Sequence, residues 1–171
     1  MSRCGRGIGR TARGVGQTAS VRLRNDDSSY GAVTKTLHWV TVAALVAQLV
    51  VGYLLDDDDD DVLLQVHVVL GVTILVVTLL RIVWRRTTPL PPWAPGLSAG
   101  ERRLAHATET TLYVCLLVMP ATGLTLLLVD DDLLPLHVAS HVVFFVALAL
   151  HVGLVLKHQL VDRDRLLNRM L

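Results

Sequence analysis

Four histidines, His38, His67, His137 and His151, lie inside long apolar stretches, and their spacing from the charged residues that bound those stretches pairs them two by two. An ionisable ring surrounded by hydrocarbon needs a partner, which is why such residues usually mark a ligand, an ion or a proton path. Helix rise is about 1.5 Å per residue. His67 lies six positions after Asp61 and His137 five after Asp132, so each is about 8 Å inside the acidic boundary. His38 lies 18 positions before Asp56 and His151 19 after Asp132, so each is about 27 Å from that boundary. His67 therefore matches His137 in depth, and His38 matches His151.

One stretch must serve both levels. Positions 137 and 151 are two heptads apart, a drift of only about 40° around a straight helix over a rise of about 21 Å. Both can face the same interior. His141 competes with His137 for the outer position, but it is displaced by about 80° from His151 on the wheel and lies about 6 Å deeper than His137. It fits the outer level less well.

A single buried histidine can be satisfied by a helix carbonyl or a Ser/Thr hydroxyl, but two depth-matched pairs call for a shared ligand at each level. Zinc favours four ligands, with Cys or carboxylate common, and no Asp, Glu or Cys lies at either level. Two imidazoles on opposite sides suit haem iron, whose other four positions the porphyrin fills. Gly71, one turn after His67 on the same face, would leave room for a flat macrocycle or for close helix packing. Gly123 and Gly153 read as packing residues. With both axial positions filled by nitrogen, the expected work is electron passage rather than oxygen binding. The residues thus point to two non-covalent haem b groups, with His38, His67, His137 and His151 as iron ligands. No C-x-x-C-H occurs, so covalent attachment is not expected.

These residues must be held by elements that span a bilayer. Apolar runs cover Thr36–Leu55, Val62–Leu80, Thr110–Val129 and Leu133–Leu156. Each is close to the roughly 20 residues that cross a hydrocarbon core. The hydrophobic fraction is 52% and the mean hydropathy +0.51. The expected fold is an all-α membrane protein, a bundle of four transmembrane helices. The net charge of +1 conceals a strict segregation. Seven cations precede the first run, five separate the second from the third, and four lie at or beyond the end of the fourth, which accounts for all 16. The other two connections hold Asp56–Asp61 and Asp130–Asp132 and no cation. The positive-inside rule then places both termini in the cytoplasm. A location in a bacterial cytoplasmic (inner) membrane is compatible with that orientation.

The remaining segments are less informative. Residues 1–29 are Gly- and Arg-rich and lack apolar periodicity, so a disordered tail is expected. No aromatic residue interleaves its cations, which argues against nucleic acid as a partner. No short apolar core with a cleavage site stands near the start, so no signal peptide is expected. Thr87–Gly100 carries Pro89, Pro91, Pro92 and Pro95 and reads as a rigid loop. The aspartate runs suit a hard cation but read more simply as solvated loops. Cys4 and Cys115 are too few for a disulfide framework. Trp39, Trp84 and Trp93 fall where indoles anchor at the interface. Nothing resembles a nucleophilic triad, P-loop or dinucleotide fingerprint.

Several fragments, weak singly, are specific in their order. They are KTLHW with His38, HVVLG with His67 and Gly71, LLRIVWR at Leu79–Arg85, AHATETTLY with His106 and Tyr113, MPATG at Met119–Gly123, LHVASH with His137, and the run from Leu150 to Leu171. From Tyr30 onward the chain resembles the bacterial cytochrome b561 family, a group that includes the cytochrome b subunits of nickel–iron hydrogenases. The resemblance implies a four-helix membrane bundle with two bis-histidine b haems, ligated at His38, His67, His137 and His151. It implies electron exchange between membrane quinone and another partner, with superoxide as one candidate at the outer face. The alternative is a haem-bearing anchor for a dehydrogenase or hydrogenase subunit. A homodimer is compatible with either. Glu109 stands where relatives can carry a further histidine, and it can pair with Arg81, Arg85 or Arg86. Those arginines can equally hold haem propionates. His106 and His158, near the basic end, can bind propionate or move protons.

Overall fold

The computed structural model describes residues 22–55, 61–93, 96–129, 132–163 and 166–171. Helix α1 covers Ala32–Leu54, α2 Asp61–Thr87, α3 Ala99–Leu128 and α4 Leu134–Leu160, and a 3-10 turn follows at Leu166–Arg169. All four long helices have the length and composition to cross a membrane, and no strand occurs among the described residues. Helix α1 packs on α2, α2 on α3 and α3 on α4. Among the described residues α4 makes no close backbone approach to α1 or α2, and α1 makes none to α3.

The helices outrun the apolar stretches at their basic ends. Helix α2 continues from Leu80 to Thr87, carrying Arg85 and Arg86 in its last turn, where cations complement the helix dipole. Helix α3 starts eleven residues before Thr110. Charge sets the limit of burial in lipid but does not stop backbone hydrogen bonding. The loop expected over Thr87–Gly100 is therefore shorter: Thr87 ends α2, and Ala99 and Gly100 open α3. The start is set by a capping box in which the Ser98 side chain accepts from the Glu101 N–H and the Glu101 carboxylate accepts from the Ser98 N–H at 2.8 Å.

Side chains sort as expected for hydrocarbon solvent. Val46, Val50, Val69, Val142 and Val146 are more than half exposed and form a lipid-facing surface. Two buried threonines satisfy their hydroxyls within their own helices: Thr41 donates to the Leu37 carbonyl at 2.7 Å and Thr108 to that of Leu104 at 2.9 Å. The apolar centre is Ile74, Cys115, Leu116 and Phe144, flanked by Leu45, Met119 and Leu148.

Of the leader expected over residues 1–29, residues 1–21 lie outside the described residues, as do Asp56–Asp60 and Asp130–Asp131 of the acidic connections. Residues 22–31 make a hydrogen-bonded turn against the bundle. The Asn25 side chain accepts from the Gly31 N–H and the Thr34 hydroxyl and donates to the Pro89 carbonyl. Asp26 accepts from Ser28, Ser29 and Arg22, and these donors, the Ser28 hydroxyl foremost, hold its carboxyl well below the usual range. What that turn contributes is present at neutral pH and is lost as pH falls through the lowered value. The C-terminal turn closes over the same end: Tyr30 N–H donates to the Arg169 carbonyl, Trp39 Nε1 to that of Met170, and Arg169 to that of Pro92.

Gly31 is the tight point of this layer. A Cβ there would stand 2.4 Å from the Arg24 carbonyl carbon. Gly31→Ala is expected to destabilise the protein by about 1–3 kcal/mol, the range for overpacking, and Gly153→Ala, which meets nothing within 4 Å, to leave it unchanged. Thermal unfolding in detergent distinguishes the two.

Candidate functional site in the unpacked centre of the bundle

Heptad spacing organises the interior. On α4, Phe144 lies midway between His137 and His151; on α2, Ile74 lies midway between His67 and Arg81; on α1, Leu45 lies midway between His38 and Gly52. Two polar levels are thus separated by one apolar layer. The helices that carry the paired histidines, α1 with α4 and α2 with α4, are among those whose backbones stay apart.

At the acidic end that separation is a cavity of about 330 Å³. His67, His137, His141, Gln48, Gly71 and Gly123 line it with Leu45, Ile74, Leu116, Met119 and Pro120. His137 Nδ1 lies 3.0 Å from the Met119 carbonyl and 3.0 Å from Thr122 Oγ1. A carbonyl only accepts, so Nδ1 carries the proton and Nε2 keeps its lone pair. Thr122 in turn donates to the Val118 carbonyl at 2.8 Å, which leaves its oxygen free to accept. A Cβ on Gly123 would come within 3.2 Å of His137 Cε1, so the absent side chain is what lets the ring lie against α3. His141 points its Nδ1 at the His137 carbonyl one turn back, at 2.8 Å, with its ring 4.8 Å from that of His137.

Across the cavity, His67 Nε2 lies 3.0 Å from the amide nitrogen of Gln48. His67 Nδ1 and Gln48 Oε1 are buried without a hydrogen-bond partner. Such groups are costly in an apolar wall, and together they mark a surface suited to a group that binds imidazole. Gln48 was not singled out from the sequence, although it is the lone amide in an otherwise apolar run. Gly71 lines the cavity, with Gln48 Nε2 3.9 Å from where its Cβ would stand.

At the basic end His38 and His151 both lie within electrostatic reach of Arg81. The Arg81 guanidinium lies 3.5 Å from His38 Nδ1 and 3.4 Å from Thr41 Oγ1 and over the Tyr113 ring, 5.3 Å from its centre. Arg85 takes the Glu109 carboxylate in a two-pronged pair, one arm at 3.0 Å. Glu109 therefore pairs with Arg85 and not with Arg81, and Arg81 has no carboxylate within ion-pair distance among the described residues. A small cavity of about 50 Å³ opens here, lined by Tyr30, Arg81, Trp84, Arg85, Glu109 and Tyr113. Burial, followed by the Glu109 charge, raises the Tyr30 phenol above its ordinary value.

The structure thus brings His67 together with His137 and His141, and His38 together with His151. His106 is exposed on α3, and His158 is wholly buried beyond the histidine levels.

The family model described as prokaryotic cytochrome b561 matches residues 29–171. The chain belongs to that family. A cytochrome b562 of Cereibacter sphaeroides is 30% identical over 156 residues, which cover 85% of this chain and 96% of the relative. As a member of the prokaryotic cytochrome b561 family, the protein is a multi-pass bacterial membrane cytochrome of b type, a carrier of electrons that holds haem b. The residues present fit that group: a cavity walled by apolar side chains, imidazoles on facing helices, a glycine under one ring, and a cation left without a carboxylate.

Gly123→Val is expected to push the His137 ring out of place and lower the haem bound per chain, with no such loss in Gly153→Ala. Pyridine haemochrome content of the two purified variants tests this.

Proposed function

We propose that the protein carries electrons across the membrane through two b haems, between the quinone pool and a donor or acceptor at the opposite face, with superoxide as one candidate. The single observation that supports this best is the pairing of histidines on helices whose backbones stand apart. His38 and His151 would hold one haem at the basic end, and His67 and His137 the other at the acidic end.

Haem held at each level supplies one-electron chemistry between ferric and ferrous iron. The chain's own residues do the rest. The Met119 carbonyl and Thr122 fix the His137 ring and strengthen Nε2 as a ligand, the usual part of a second partner on a metal-binding histidine. His141 has its Nδ1 committed to its own helix and no such support from α3, which favours His137. Gln48 orients His67. Arg81 offers a guanidinium to a carboxylate such as a propionate, and Arg85 is held back from that task by Glu109. Phe144, Ile74 and Leu116 exclude water between the two levels. Tyr30, Glu109 and Tyr113 place exchangeable protons beside the basic level, where a quinone that gains or loses electrons also trades protons.

The electron-transfer unit is residues 30–171. The segregation of all 16 cations to one end supports an inner-membrane orientation with both termini and the His38–His151 level on the cytoplasmic side.

Each histidine pair should behave as a unit. His67→Leu or His137→Leu is expected to remove one haem and leave the other, His38→Leu or His151→Leu to remove the other, and His141→Leu to keep both. Haem-to-protein ratio with reduced-minus-oxidised spectra measures this. Two haems retained in His137→Leu would overturn the assignment. Arg81→Leu is expected to lower the midpoint potential of the basic-end haem, because a nearby cation favours the reduced, less positive state; a redox titration reads the shift.

A further inference from the structure

Beyond the two histidine levels, the heptad seam of α4 reaches a third histidine. His158 lies seven residues after His151 and is entirely buried. Its Nδ1 lies 3.1 Å from Asp162 Oδ2 and its Nε2 3.6 Å from Glu101 Oε1. Glu101 comes from the capping box of α3, and Asp162 follows the end of α4, so the cluster joins two helices at the basic end. One ligand atom from each of Glu101, His158 and Asp162 lies within 4.8 Å of the others. One positive charge of the chain's own already sits among these groups. The Lys157 ammonium is seated between the carboxylates, 2.6 Å from Glu101 Oε1 and 2.6 Å from Asp162 Oδ2.

We propose that Glu101, His158 and Asp162 form a binding site for a divalent cation of the zinc class, in which the Lys157 ammonium is the placeholder. The donor set is one imidazole and two carboxylates, the ligands zinc accepts, with the fourth position left to water. Bonds of about 2.1 Å to a tetrahedral ion set its ligands about 3.4 Å apart. From a spread of up to 4.8 Å, the side chains need close by about 1.4 Å. Charge favours the exchange as well. Two carboxylates and one ammonium leave the cluster net negative beside a buried ring, whereas two carboxylates and a divalent ion are neutral. Lys157 is the most exposed member, with 47% of its side chain accessible, so its ammonium can turn to solvent without disturbing the helix. The ion would replace a salt-bridged clasp between the first turn of α3 and the end of α4 with coordinate bonds. That clasp is distinct from the haem levels and does not rest on how those are assigned.

The test uses the full-length, haem-loaded protein in detergent, stripped with chelator and titrated with zinc ions by calorimetry, with zinc X-ray absorption on the loaded sample. The expected result is one zinc per chain at a site with an imidazole in its shell, an upward shift in melting temperature, binding lost in His158→Gln and weakened at least tenfold in Asp162→Asn. Lys157→Gln, which removes the competing ammonium, should tighten binding about tenfold. Should His158→Gln fail to fold, the exposed Asp162→Asn and Lys157→Gln carry the test. An all-oxygen shell, or binding unaltered in His158→Gln and Asp162→Asn, would assign the zinc to the aspartate runs and overturn the proposal. So would weaker binding in Lys157→Gln or no zinc uptake at all.

Discussion

An imidazole in hydrocarbon must be partnered, and the interior of this bundle is arranged around that requirement. The lipid-facing valines offer the rings nothing. Each ring therefore turns inward, to a helix carbonyl, an amide, a guanidinium or a ligand. The consequence is a bundle that is not packed shut. Helices α1 and α2 pack on each other, as do α3 and α4, while α4 stands off from α1 and α2. A bundle optimised for packing alone would bring small residues together at those crossings. Here glycines lie against imidazoles instead: Gly52 against His67 and Gly123 against His137.

Spacing by sevens converts that requirement into a vertical order. The same seam of α4 carries His137, Phe144, His151 and His158, so one helix face presents imidazole, phenyl ring, imidazole and imidazole in turn. The apolar layer of Ile74, Leu116 and Phe144 lies between the two levels. Charge then distinguishes the levels. Near the acidic end the cavity offers an amide and imidazoles. Near the basic end, Arg81, Arg85 and Glu109 surround the histidine pair, and the positive charge at that level exceeds the negative by one.

Much of this was legible in the residues. The four spans followed from apolar runs and their charged limits, because hydrocarbon admits little else. The depth pairing of His38 with His151 and His67 with His137 followed from a constant helical rise. Helix ends were less legible. Ser98 and Glu101 carry the capping pattern, but the proline-rich stretch before them and the cations after them drew the expected boundary toward Thr110. Gln48 was overlooked because a single amide in an apolar run has no periodic signature. His106 and His158 looked alike in the sequence, both near the basic end; α3 turns one to the outside, and the α3–α4 contact encloses the other.

The sequence by itself determined how many long apolar helices there are and how far along each one its histidines lie, since these depend on local properties: hydropathy, charge and a fixed rise per residue. Tertiary structure decided which rings share a cavity, that Met119 and Thr122 fix the His137 tautomer, that Glu109 takes Arg85 rather than Arg81, and that His158 is enclosed by two carboxylates. Those outcomes depend on the distance and rotation between helices, which packing sets. No residue carries that information alone.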